Sequence, residues 1–188
     1  EKMIFLVSEI DNLNTITEAE FLSKILQQAV EIIPEADFGS VYTFGEKYVN
    51  FVDCIGYDLE TLKKKKIANE AFYNQHLPIE IIDSEEVKKR NQKHMDQSNF
   101  EELVDESLNK IKEIMYLDLE INGQKKAGIS LDIKVNSKKN FKYSSKKLFA
   151  AFYNIASSFY KMKEYNILQN DFTKELISTT IKMLEMYD

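Results

Sequence analysis

Apolar positions change their period several times along the chain, and each change marks an element. Met3, Leu6, Ile10 and Leu13 recur at spacings of three and four, which predicts a helix over residues 1–13. A second helix is predicted from Thr17, where Thr17 and Glu20 form a T-x-x-E capping box that satisfies two otherwise unpaired backbone donors. Phe21, Leu22, Ile25, Leu26, Ala29, Val30 and Ile33 then share one apolar face, and Pro34 ends the run because it cannot extend the hydrogen-bond ladder.

The period then falls to two. Phe38, Ser40, Tyr42 and Phe44 fall on one face of a predicted strand over 38–44. A second strand over 48–55 puts Val49, Phe51 and Ile55 on one face and Val52 and Cys54 on the other. Gly45-Glu46 between them reads as a type II′ hairpin turn, with glycine supplying a positive φ. Residues 57–83 carry no sustained period. A short helix near 58–64 and a short strand at 79–82 after Pro78 are the elements expected there. Asp83 or Ser84 caps a helix over 85–96 that has almost no apolar stripe, which predicts an exposed or lid-like element. Ser98 and Glu101 form another capping box ahead of Phe100, Leu103, Val104, Leu108 and Ile111.

A second hairpin is written clearly. Met115, Leu117, Leu119 and Ile121 alternate with polar or amphipathic residues. Asn122-Gly123 supplies the turn, and Ala127, Ile129, Leu131, Ile133 and Val135 resume the alternation. From about Ser144 a long helix is predicted. Leu148, Phe152, Ile155, Phe159 and Met162 read as a heptad seam, which falters at 166–171 and resumes at Ile177, Ile181 and Leu184. Unbroken, such a helix spans roughly 65 Å, so the seam is expected to be the interface of a homodimer. The order of elements predicts an α+β domain, with an antiparallel sheet and helices grouped on one side.

Composition narrows the function. The 188 residues contain no apolar run of the roughly 18 that a membrane helix needs. The net charge is −6 and Arg90 is the only arginine, which argues against a nucleic-acid module, since bidentate phosphate and guanine contacts favour arginine. The run Lys63 to Lys66 reads as a solvated loop. Cys54 is the only cysteine, so no internal disulfide forms, and a cytoplasmic location is expected. The chain starts on Glu1 and stops inside a predicted helix, and it reads as a piece of a longer polypeptide.

Four stretches carry a resemblance. ILQQAVEIIPEADFGSVYTF at 25–44 resembles the opening helix and small-residue strand of GAF domains, the sensory relatives of PAS domains. NFVDCIGYDLETLKKKKI at 50–67 resembles their second strand, ending in Gly-Tyr and a short helix. AGISLDI at 127–133 resembles their G-x-L-x-L segment, and FKYSSKKLFAAFYNIASSFYKMKEY at 141–165 their closing helix. The resemblance implies a central six-stranded antiparallel sheet with helices from both ends on one face. The irregular middle, with 67–97 as a lid, would close a ligand pocket on the other. It implies a linker helix at 1–16, a sensor domain at 17–165, and a signalling helix at 166–188 that leads to an effector domain in the same chain. KELISTTIKMLEMYD at 174–188 resembles the lead-in helix of HD-GYP domains, which hydrolyse cyclic di-GMP; a diguanylate cyclase is the alternative effector. No His-Asp dipeptide and no Gly-Tyr-Pro occur, so no catalytic or metal residue of that family is present, and no enzyme activity is expected of this chain.

On the same resemblance the pocket would be lined by Tyr42, Phe51, Cys54, Tyr57, Phe72, Tyr73, His76 and Tyr116, with Asp118 and Ser130 as polar members. Neither the ligand nor its existence is readable, and a ligand-free dimerisation and transmission module is the alternative reading. Asn136 and Phe141 match two members of the cyclic-nucleotide set, but Ser137 and Ser145-Lys146 replace the others. Cys54 is followed by Ile55 rather than the histidine of bilin attachment, and reads as a buried small hydrophobe. His76 and His94 have no metal-ligand spacing, and read as surface or loop residues.

Overall fold

The computed structural model describes residues 16–72 and 79–185, with side chains through residue 178. The predicted helix over 1–13 therefore lies outside the described residues. Helix α1 (Glu18–Ile32) opens with the predicted box: Glu20 N–H donates to Thr17 Oγ1 and Thr17 N–H donates to the Glu20 carboxylate at 2.8 Å. Strands β1 (Phe38–Phe44) and β2 (Val49–Ile55) follow, then the short helix α2 (Leu59–Lys64) capped by Asp58 and a 3₁₀ turn at Asn69–Phe72. After β3 (Ile79–Asp83) come α3 (Ser84–His94), α4 (Gln97–Glu106), a 3₁₀ turn at Leu108–Lys110, β4 (Ile111–Ile121), β5 (Gln124–Lys134) and α5 (Tyr143–Glu185).

The strands form one antiparallel sheet in the order β2-β1-β5-β4-β3. Five strands are found among the described residues, where six were expected. Alternation along β4 and β5 gives the sheet two buried faces. Met115, Leu117, Leu119, Ala127, Ile129 and Leu131 face α1 and α5. Ile114 and Tyr116 face the opposite way, with Tyr42, Phe51 and Phe72, beneath α2, α3 and α4. Asn122 (φ 52) and Gly123 (φ 77) close the β4–β5 hairpin, matching the positive φ at both central positions of a type I′ turn.

Four local expectations are corrected. The β1–β2 link is longer than a two-residue hairpin, with Gly45 N–H donating to Tyr48 O, and Gly45 does not have positive φ. Its glycine is required instead by close approach, since a Cβ there would stand 2.7 Å from Tyr48 O. In β2, Tyr42 pairs with Phe51 but Val41 with Asp53, so Val52 is an extra residue. This bulge shifts the alternation: Cys54 joins Val49 and Phe51 on the α2–α4 side, while Val52 and Ile55 pack towards α1 and α5. Helix α4 starts two residues earlier than the Ser98 box predicts. Its cap is Asp96, whose carboxylate accepts from Asn99 N–H at 3.1 Å. Within the lysine run, Lys65 is buried rather than solvated: its ammonium pairs with Glu102 at 2.5 Å and Glu106 at 3.2 Å, tying the end of α2 to α4.

The predicted seam on α5 divides. Phe149, Phe152, Ala156 and Phe159 are buried against the sheet and α1, with Phe159 stacked on Phe21 at 3.7 Å between ring centroids. Phe152 and Phe159 are thus core residues of this domain instead of an intermolecular surface. Leu148 and Ile155 lie beside them, partly buried, and Met162 is exposed. Tyr160 Oη and Lys163 Nζ both reach Glu18, and Asn122 and Lys126 reach Glu164. Beyond that point Tyr165, Leu168, Phe172, Leu176 and Ile177 are all more than half exposed. Ile181 and Leu184 belong to the helix, but their side chains lie outside the described residues. No described helix is long and apolar enough to cross a membrane.

Candidate functional site

The sheet face opposite α1 and α5 is not packed solid. A cavity of about 50 Å³ lies between it and α2, α3, α4 and the two 3₁₀ turns. Aromatic rings of Phe51, Tyr57, Phe72 and Tyr116 form part of its wall, and Leu62, Val87 and Leu103 close it from the helices. Among the described residues the cover therefore comes from 57–72 and 84–108, reaching beyond the predicted lid at 67–97 on both sides.

Its polar floor comes from period-two alternation. Ser130 and Asp132 share one face of β5, and Ser40 on β1 pairs directly across from Ser130. Tyr57 Oη donates to Asp132 Oδ2 at 2.6 Å, and Ser130 Oγ donates to Asp132 Oδ1 at 3.0 Å. Ser40 and Ser130 hydroxyls are 3.3 Å apart. With the one Ser130 proton given to the carboxylate, Ser40 donates to Ser130, and a single direction runs from Ser40 to Asp132. Asp132 is 2% exposed, and burial pushes its carboxyl up to about 6 against the two hydrogen bonds that favour the anion. Burial likewise pushes the Tyr57 and Tyr116 hydroxyls above the usual tyrosine range, so both stay protonated donors.

The wall from α3 adds one more polar group. Arg90 clamps that helix to β3 through two 2.9 Å bonds to Glu80, and its Nε reaches Glu86. Val87 and Asn91, one turn apart, consequently point inward. Asn91 Nδ2 donates to Val87 O at 2.9 Å, which fixes the amide orientation and leaves Oδ1, buried, without a partner.

Of the predicted pocket residues, Phe51, Tyr57, Phe72, Tyr116 and Ser130 line this cavity. Tyr42 does not. It is fully buried under Phe51 and Phe72, its hydroxyl lacks a partner, and it lies so close to Gly128 that a Cβ there would fall 2.4 Å from its ring. Cys54 sits beside the site, half-buried, its Sγ donating to Tyr57 O at 3.3 Å, and burial raises its thiol pKa, which disfavours the reactive thiolate. Asp118 lies further along β4, in an ion pair with Lys125, and is not a cavity residue. Tyr73 and His76 lie outside the described residues. Asp132, Ser40, Asn91 and Ser107 are the polar lining residues that sequence reasoning missed, together with the apolar lining from Leu62 to Ile114. Asp132 follows Ser130 by two in a strand whose alternate face was read as polar, and that spacing was the available signal. No cluster of metal-ligating side chains occurs among the described residues.

No protein-family model and no curated protein sequence matches the chain. Solved structures do match its fold. The GAF domain from an Acinetobacter phosphoenolpyruvate-protein phosphotransferase superposes with TM-score 0.60 at 9% identity, over 87% of this chain and 94% of that one. A GAF domain/HD domain protein from Geobacter sulfurreducens gives 0.57 at 8% identity, over 79% and 96%. The GAF domain of a candidate sensor histidine kinase from Pseudomonas syringae pv. tomato gives 0.54 at 12% identity, over 93% and 92%. The chain therefore has the GAF fold: a central antiparallel sheet with the terminal helices on one face and a covered cavity on the other.

Proposed function

We propose that this chain is a regulatory sensor domain that binds a small molecule between its sheet and the cover formed by α2, α3 and α4, and passes the change to an effector through α5. The observation carrying this reading is the cavity itself, with aromatic walls and a buried polar floor on a sheet face that a purely structural domain would fill with side chains. Its volume suits a group of a few heavy atoms. A larger ligand requires α3 or α4 to move outward, and such movement would tug on the Lys65 and Arg90 ion pairs that hold those helices.

The domain spans residues 17–165 in this reading, and 166–188 form a signalling helix. The exposed strip from Met162 through Leu176 is offered to a second copy, making a homodimer in the cytoplasm. The effector is a cyclic di-GMP phosphodiesterase of the HD-GYP type, a reading supported by the resemblance of residues 174–188. The chain contributes no catalysis of its own.

The test is thermal unfolding against a panel of metabolites, with Val87→Phe as the comparison, since a larger side chain at Val87 fills the cavity. A ligand present at about a hundred times its Kd raises the wild-type Tm by roughly 5–10 °C and leaves Val87→Phe unmoved. Equal stabilisation of both proteins places the binding elsewhere and ends this reading.

A further inference from the structure

Resting on the sensor reading, we infer that the cavity selects a small, hydrogen-bond-donating cationic group, of the amidinium, guanidinium or primary ammonium class. The cavity's polar wall holds one buried carboxylate and one unpartnered amide oxygen, beside the hydroxyls of Ser40, Ser107 and Tyr116. Asp132 is the one carboxylate on its wall, and no lysine, arginine or histidine lines it among the described residues. The protons of Tyr57 and Ser130 are already spent on Asp132, one to each oxygen. Each of those oxygens keeps a lone-pair position that a ligand N–H can fill. The second acceptor is independent of the first: Asn91 lines the cavity from α3, and its Oδ1 is buried and has no partner. A buried acceptor left unpaired costs about 1–3 kcal/mol, so a ligand that supplies donors to it recovers that cost.

Charge decides between ligand classes. An anion, including any nucleotide phosphate, would meet Asp132 with no cation among the described wall residues to compensate it. Lys65 is committed to Glu102 and Glu106. An apolar ligand would leave Asn91 Oδ1 unsatisfied and the Asp132 charge uncompensated. A flat cation pairs with the carboxylate and presents its remaining donors to Asn91. It is also attracted by the aromatic faces of Phe51, Phe72, Tyr57 and Tyr116.

Acetamidinium, acetamide and acetate make a near-isosteric test series, each planar with four heavy atoms. They would be titrated into the isotopically labelled 188-residue protein while the backbone amides of Asn91, Ser130 and Asp132 are followed by NMR. Acetamidinium is expected to bind at least about tenfold more tightly than acetamide, with no saturable shift from acetate. Asp132→Asn, which keeps the shape, lowers acetamidinium affinity about tenfold or more and abolishes its preference over acetamide. Asn91→Leu weakens acetamidinium by about threefold or more without touching the carboxylate. If acetamide or acetate binds as tightly as acetamidinium, the cation class is wrong while the sensor reading stands. If none of the three moves these amides up to about 50 mM, this inference falls, while the sensor reading is still decided by the metabolite panel and Val87→Phe.

Discussion

Replacing Phe152 by alanine destabilises the domain by about 3–5 kcal/mol, and the loss is the same at every protein concentration. Phe152 is fully buried on the face of α5 that packs against the sheet, one turn from Phe149 and Ala156. Truncating it leaves a cavity between α5 and the sheet that neighbours cannot close. Phe21 and Phe159 are locked in their own stack, and the sheet residues beneath are held by the strand ladder. A residue in a dimer seam behaves differently, because its contribution grows with the fraction of protein that is dimeric. Urea unfolding at two protein concentrations a hundredfold apart separates the cases. A midpoint that moves with concentration only in the wild type, or a loss under about 1 kcal/mol, would return Phe152 to an intermolecular role.

Substituting Asp132 by asparagine makes the protein relatively more stable as pH rises, by about 2 kcal/mol between pH 4 and pH 7.5. In the folded protein burial holds the Asp132 carboxyl up to about 6, against an ordinary value of 3.8. At pH below both values the folded and unfolded chains each carry the proton, and the residue costs nothing. Between them the unfolded chain has released its proton while the folded one retains it, so raising the pH favours unfolding. Above about 6 the folded chain holds a buried carboxylate and the full penalty is present. Tyr57, Tyr42 and Tyr116 surround the group and stay neutral throughout this range, since their own shifts are upward. Asparagine carries no such titration, and its amide oxygen still accepts from Tyr57. Chemical unfolding of both proteins across this range reads the difference directly. A constant offset between the two would mean that Asp132 is not buried as an acid. That penalty also suits a binding site, because a cationic ligand neutralises the charge that the fold alone leaves uncompensated.

The elements whose signals are local were legible. The Thr17–Glu20 box, the Asn122-Gly123 turn and the alternation through 127–133 specify their own geometry, because the groups that decide it lie within a few residues. What failed depended on partners distant in sequence. A bulge at Val52 leaves no mark in composition, yet it exchanges Cys54 and Ile55 between faces. The heptad spacing of α5 shows that an apolar face exists but not what covers it. The sheet and α1 take Phe152 and Phe159, while Tyr165, Leu168 and Phe172 are more than half exposed among the described residues. Asp132 looks like a solvent-facing strand residue until α3 and α4 fold across it. Lys65 is indistinguishable from its neighbours in the lysine run until Glu102 and Glu106 arrive, 37 residues and more away. The aromatic part of the site was readable because the GAF resemblance placed it. The polar part was not, because its chemistry arises from burial rather than from motif.

The most direct measurement is the mass of the protein sprayed intact from native solution, compared with its denatured mass, for the wild type and for Val87→Phe. The sensor reading predicts a small added mass on the native wild type that is lost on denaturation and absent from the variant. A native wild-type protein without added mass from a host that makes its ligand, or an added mass that Val87→Phe retains, would contradict it.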